Sequence, residues 1–341
     1  MKDWFKNYLE LTEEKRAEAD ALLRASADID LSIANKNRRM LAAQAQGVIR
    51  QGVLVGSNIE GIFQRIPTTN GSSLEMPLDL LAPGTEKDFN AYAVPNAGRI
   101  PERLVEGDYL MIPTYSIGNS IDWLEKYARD ARWDIVARCM EIFEAGFTKK
   151  MNDDGWHVLM AAAVDRNTMV YDSDATDGLF TKRLIELLKV GVRRNGGGNG
   201  SSINRFKLTH LATSPEAMSD MRSWGVDQID EVTRREIFTA ADGTFNKIFG
   251  VYLLDFDEFG EGQEYQSYLT NELAAVMNGS DKEFAVGFDL SRSNTYIMAE
   301  AQPLVVRDSV DLERQFRAGV YGKMDLGFAV LDNRAVMLAS F

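Results

Sequence analysis

Residues 87–94 (KDFNAYAV) and 108–117 (DYLMIPTYSI) have the alternation and aromatic content of paired strands. The linker between them, PNAGRIPERLVEG, holds two prolines, two glycines and four charged side chains. Such a linker disfavours continuous helix and marks an extended loop. The result over residues 86–117 is a charged hairpin arm without a core of its own. A lone hairpin is marginal in water, so this one needs support. Either it lies on its own domain as a surface hairpin, or its partners sit on a neighbouring molecule. An arm this long and thin points to assembly.

The rest of the chain is ordinary enough to sharpen that contrast. With 341 residues it can bury a sizeable core, and length alone suggests about two domains. A hydrophobic share of 45% and a charged share of 26% suit a globular protein. No run approaches the roughly 18–20 apolar residues of a membrane helix. The opening MKDWFKNYLELTEEKRAEAD lacks the apolar core of a signal peptide, so no leader is expected. One cysteine, Cys139, excludes an internal disulfide framework and suits a reducing cytoplasm. It falls on the apolar side of its segment and reads as a buried structural thiol.

A net charge of −13 argues against a broad basic face that grips nucleic acid. Lys36, Arg38, Arg39 and Arg50 form the one modest basic cluster, and a solvated helix face accounts for it. Between positions 255 and 289, by contrast, Asp255, Asp257, Glu258, Glu261, Glu264, Glu272, Asp281, Glu283 and Asp289 stand against one base, Lys282. That stretch is expected to face solvent and to suit a basic partner.

Along the chain, residues 3–46 read as helical, rich in Ala, Leu, Glu, Lys and Arg but sparse in apolar positions. They predict an N-terminal arm over residues 1–46. Gly47, Gly52, Gly56 and Gly61 then punctuate a β-branched stretch that predicts strand and linker over 47–80. The extended loop occupies 81–118. From Ser120 to Asn152, Ile121, Leu124, Ala128, Ala131, Ile135, Cys139, Ile142 and Gly146 recur every three or four residues, with Phe143 and Phe147 beside them. One long amphipathic helix is expected, with Asn152-Asp-Asp-Gly155 ending it. Its other face, Glu125, Lys126, Arg129, Asp130 and Arg132, stays wet. The helix acts as a spine within residues 119–165. Beyond it, 181–190 reads as helix, 193–202 (RRNGGGNGSS) as loop and 206–212 as strand. Ser214-Pro-Glu216 is a helix start: a capping hydroxyl, a proline at the first helical position and an early acid. Strands are expected at 247–256, 284–290, 296–306 and 328–338. Strands and helices mixed in this way make the class α+β.

Catalytic constellations are scarce. No G-x-S-x-G occurs, and His157 and His210 lie far apart without a matching nucleophile. Two histidines and one cysteine make none of the usual zinc sets. In Asp172-Ser-Asp174-Ala-Thr-Asp177-Gly178 the glycine falls one place late for a calcium loop, and Arg183 stands where the final glutamate is needed. A polar turn capping the next helix is the better reading. Asp255-Phe-Asp257 has the spacing to hold magnesium, without other support. Gly56-Ser-Asn-Ile-Glu-Gly61 lacks the phosphate-loop lysine, Ile62 standing in its place, and Gly196–Gly200 does not complete a dinucleotide motif. No catalytic, cofactor-binding or metal residue is therefore expected, and no cofactor.

The order of elements resembles the major capsid proteins of tailed double-stranded DNA bacteriophages, the fold shared with encapsulin shells and herpesvirus capsid floors. The likeness is carried by the 86–117 loop running into IPTYSIGNSIDWLEKYARDARWDIVARCMEIFE, by LTHLATSPEAMSDMRSW, by KIFGVYLL and by the terminal GVYGKMDLGFAVLDNRAVMLASF. It implies an extended loop lying over a neighbouring subunit and a peripheral domain with the spine helix. It also implies an axial domain within 166–308, interleaved with peripheral segments, that meets its copies at five- and six-fold centres. Residues 309–341 would be C-terminal strands of the peripheral domain. Self-assembly into pentamers and hexamers follows, in the host bacterial cytoplasm, around a non-specifically enclosed genome. Scaffolding, portal and decoration proteins are the further partners, and the virion capsid is the final location. Some relatives crosslink a loop lysine to a neighbour's asparagine. Lys87 lies in the corresponding loop, but neither the asparagine nor the assisting acid has a match.

Two other readings stay open. An encapsulin-type compartment shares the fold and differs in content, cargo protein in place of DNA. A magnesium-dependent α+β hydrolase would use Asp255, Asp257 and Asp172, and would behave as a small discrete particle.

Overall fold

In the computed structural model the longest helix runs from Trp133 to Asp165, 33 residues, and its placement differs from the sequence expectation. The structure describes residues 13–27, 31–68, 73–77, 109–166, 169–175, 178–195, 206–224, 247–275, 277, 281–308 and 317–341. Helices α1 (Glu13–Ala25) and α2 (Leu31–Gly56) come first. Short strands β1 (Gln64–Pro67), β2 (Leu74–Pro77) and β3 (Tyr109–Ile112) follow, then β4 (Tyr115–Leu124), α3 (Glu125–Arg129) and the long helix, α4. The order continues with β5 (Met169–Val170), α5 (Lys182–Asn195), β6 (His210–Thr213) and α6 (Pro215–Ser223). Strands β7 (Lys247–Ile248), β8 (Val251–Asp255), β9 (Phe284–Phe288), β10 (Tyr296–Asp308), β11 (Arg317–Val330) and β12 (Val336–Ser340) complete it. Most of the 81–118 loop, the 196–202 glycine run and the first twelve positions lie outside the described residues.

The chain divides into two units. The first holds Met1–Glu75, Met111–Gly155 and Ile297–Ala329; the second holds Met76–Leu110, Trp156–Tyr296 and Val330–Phe341. The long helix contributes residues to both units, and the last strand belongs to the second.

Within the first unit, three expectations are corrected. The stretch after Gly47 is helix, not strand, as far as Gly56. Its β-branched residues favour strand locally, but Leu41, Ala45, Ile49 and Val53 recur every fourth position and are all buried, so one helical stripe outweighs propensity. Residues 120–124, expected to open the helix, instead continue the strand that starts at Tyr115. Ile117 and Trp123 are buried on one side while Ser116, Gly118, Ser120 and Asp122 are exposed, a period of two. After α3, Ala131 takes a left-handed φ of 53° and breaks the chain before α4 starts. The buried stripe of α4 is Trp133, Val136, Met140, Phe143, Phe147 and Met151. The stripe expected from sequence lies to one side of it: Ile142 is 52% exposed.

Asn152-Asp-Asp-Gly155 does not stop the helix. Gly155 is buried against Ile59, and a Cβ there would come within 2.8 Å of the Ile59 side chain. The glycine is present for close approach, not for a turn. A four-stranded sheet, ordered β1-β10-β11-β4, carries α4 on one face. Strand β1 runs parallel to β10 and β4 antiparallel to β11. Gly322 in β11 is the point of approach, since a Cβ would lie 2.7 Å from Phe143 and 3.1 Å from Phe147.

The second unit is built on a six-stranded sheet, β5-β12-β9-β6-β8-β7. Its central strands β9 (FAVGF) and β12 (VMLAS) are buried at every position, as strands covered on both faces must be. On the Phe284–Phe288 face, Trp156 packs edge-on against Phe256 at 4.9 Å and Phe259 at 5.1 Å, and Phe259 meets Phe284 at 4.7 Å. On the other face α5 buries Leu184, Ile185, Leu188 and Val192. Helix α6 starts as expected: the Ser214 hydroxyl accepts from the Ala217 amide at 3.2 Å, and Pro215 opens the helix. The 247–256 strand is instead a hairpin, turning at Phe249 and Gly250 with φ of 48° and 82°. Likewise 328–338 is broken at Asn333–Ala335, where the Asp332 side chain accepts from the Arg334 amide.

Candidate assembly elements

The chemically active residue types are placed where structure uses them. His157 stacks on Tyr268 at 3.8 Å between ring centroids, and Tyr265 meets it edge-on. His210 lies in a cross-strand stack between Tyr252 and Phe288, its Nδ1 3.0 Å from the Thr209 hydroxyl. Burial lowers its pKa, which keeps the ring neutral. Cys139 is half-buried rather than fully buried; burial, and then Asp122, raise its thiol pKa, the opposite of a nucleophile's requirement.

The carboxylates are equally engaged. Asp172 accepts the Thr181 hydroxyl at 2.7 Å and lies 3.7 Å from Arg183, which also pairs with Asp174. This is the polar turn before α5. Asp255 and Asp257 bracket the end of β8; burial and then Asp257 raise the Asp255 pKa. Among the described residues no group of three or more His, Cys, Asp or Glu side chains is placed to hold a metal ion. The basic cluster is dispersed too. Arg38 is buried and donates to the Ser26 carbonyl at 2.8 Å, and Arg50 lies 3.9 Å from Glu300.

What stands out is apolar surface that is exposed among the described residues. Strands β2 and β3 form a sheet of only two strands. In β3, Tyr109 is 66% exposed and Met111 58% exposed, so one face of this short strand is largely open among the described residues. A two-stranded sheet is marginal alone, and exposed apolar residues on a strand invite a partner. The strand that follows is held firmly at its start. The Tyr115 hydroxyl donates to Asp154 at 2.7 Å, and Lys150 of α4 reaches the other oxygen of the same carboxylate at 2.7 Å. Burial, and next the Asp154 hydrogen bond, push the Tyr115 pKa far up, so the phenol remains a donor. The base of the arm is thereby fixed to the long helix. Sequence reasoning found the strand and missed the clamp, because Tyr115 and Asp154 are distant in the chain.

No family model and no curated protein matches this sequence. Solved structures do match the backbone. A chain from Microbacterium phage Oxtober96 superposes with a TM-score of 0.57 at 14% identity, over 84% of this chain and 90% of that one. The acid-stable capsid of Helicobacter pylori bacteriophage KHP30 gives 0.56 at 12% identity, over 83% and 91%. A chain from Mycobacterium phage Bobi gives 0.51 at 16% identity, over 84% and 90%. The chain has the tailed-phage major capsid fold. In that fold, as expected, an N-terminal helical region precedes the two-stranded sheet, the long helix follows it, and a mixed α/β lobe opens α6 with Ser214-Pro-Glu216. The α+β class follows from the same arrangement.

Proposed function

We propose that this chain is a structural shell protein that assembles with copies of itself into the icosahedral capsid of a tailed phage, enclosing double-stranded DNA. The observation that carries the reading is the fold match over more than four-fifths of both chains to capsid structures. The short two-stranded sheet supports it, because β3 keeps Met111 58% exposed among the described residues, an apolar side chain suited to a contact between copies. In this reading the first unit is the peripheral domain and the second the axial domain. The 81–118 loop lies over a neighbouring subunit, and residues 1–46 form the arm. Pentamers and hexamers are the building rings, formed in the host bacterial cytoplasm. Scaffolding, portal and decoration proteins complete the particle, and the role is structural rather than enzymatic.

The acidic chain fits a container that holds its genome by confinement, not by tight grip. Light scattering and negative-stain microscopy of the purified protein test the proposal. Closed particles of several hundred ångströms, roughly, are expected, since rings of heterologous contacts close into shells. A discrete monomer or dimer under all assembly conditions would overturn it. Nuclease-protected DNA inside particles made in cells separates a phage capsid from an encapsulin-type compartment, whose content would be protein.

A further inference from the structure

The two faces of the six-stranded sheet carry opposite charge. Helix α5 covers one face: Leu188 packs near Gly287 of β9, where a Cβ would lie 3.7 Å from it. Along α5, Arg183 pairs with Asp172 and Asp174 and Lys182 lies 4.0 Å from Glu186, which leaves the last turn, with Arg193 and Arg194, as its basic end. Val190, Arg193 and Arg194 fall at i, i+3 and i+4, so they share one outward patch; all three are exposed. Among the described residues neither Arg193 nor Arg194 forms an ion pair. The opposite face, through Phe284 and Phe288, is covered by Trp156 and the segment from Phe256 to Glu272. There the buried Phe259 anchors a turn whose outward side presents Asp257, Glu258 and Glu261. Lys282 meets Glu261 at 3.1 Å and Arg222 of α6 lies near Asp255, while Asp257 and Glu258 stay exposed as the acidic part of that side.

Since alternate positions of a strand point to opposite faces, β9 itself separates the two patches. A symmetric two-fold contact would press like charge on like, which costs several kcal/mol. A head-to-tail contact brings basic face to acidic face, and repeated by rotation it closes a ring. We propose that the α5 face of one copy, centred on Val190, Arg193 and Arg194, docks against the acidic 257–272 face of the next copy. This rests on the shell reading above and names the surfaces through which its second units meet.

Charge reversal tests it. One variant carries Arg193→Glu with Arg194→Glu, a second carries Asp257→Lys with Glu258→Lys, and a third carries all four changes. Assembly is followed by light scattering and sedimentation against protein concentration and salt, and thermal melts check folding. Should the first variant melt differently from wild type, Arg193→Gln with Arg194→Gln replaces it. Each two-site variant is expected to need about tenfold more protein to assemble. The four-site chain, complementary again with its signs exchanged, returns towards the wild-type threshold. In 1 M salt, where screening shortens to about 3 Å, the gap between variants and wild type closes. Two-site variants that assemble like wild type, or a four-site chain that assembles no better than they do, would overturn the docking. Wild type that assembles under no condition would overturn the shell reading itself, a distinguishable result.

Discussion

Glu283 is the side chain whose surroundings suit it least. It is 7% exposed, takes a short hydrogen bond from Ser214, and is faced by Glu216 and Asp220 of α6 and by Glu261. Burial first, and then those carboxylates, raise its pKa, while Ser214 pulls the other way. In the unfolded chain a glutamate titrates near about 4.3. Between that value and the raised folded one, the native state holds more protons than the unfolded state. Its contribution to stability is therefore present in full below the window and is lost as pH rises through it. Asp255 acts in the same direction. His210, lowered by burial, acts in the opposite one below its ordinary value of about 6.5. The Glu283→Gln variant isolates the first effect: its Tm should exceed that of wild type at neutral pH, and the difference should shrink as pH falls towards the ordinary glutamate range. A pH-independent difference in scanning calorimetry would show that the carboxylate does not titrate there. A second residue-scale prediction concerns Gly322. Alanine at that position meets the buried rings of Phe143 and Phe147, so Gly322→Ala should destabilise the first unit by about 1–3 kcal/mol in urea unfolding.

At the scale of elements, α6 was legible because its start is local chemistry. Hydroxyl, proline and acid are adjacent in the chain and need nothing else. Ser214→Ala should lower stability by about 1 kcal/mol through loss of the cap, and by more because Glu283 then loses its donor. The long helix was legible in length but not in position. Ile121 and Leu124 fit a helical stripe by spacing, yet Ile117, Ile121 and Trp123 also fit a strand. Only pairing with β11, from Arg317↔Leu124 to Leu326↔Tyr115, decides between them. Such pairing is non-local and leaves no mark in the segment itself. Gly155 misled for a related reason: its purpose is Ile59, which lies far away in sequence. Strand-like Val48, Ile49 and Val53 were similarly overruled by the partners of α2. Trp156 holds the aromatic cluster of the second unit together, at 4.9 Å from Phe256 and 6.3 Å from Phe288. Trp156→Ala should cost about 3–5 kcal/mol and abolish the near-ultraviolet circular dichroism of that cluster.

At the scale of the whole molecule, the fold was visible in the order of elements, from the helical start to the Ser214-Pro-Glu216 helix and the late strands. The charge pattern of 255–289 was equally plain, but that α5 covers the opposite face of the same sheet required the fold. If shells form, their assembly threshold should rise with salt, and scattering titrations from about 0.05 to 1 M NaCl would show it. The six-stranded sheet ends in β5 and β7, each of two residues. Among the described residues, then, neither rim offers enough bare backbone for another molecule to zip onto. At those rims recognition is left to side chains, which a mutation can tune one at a time.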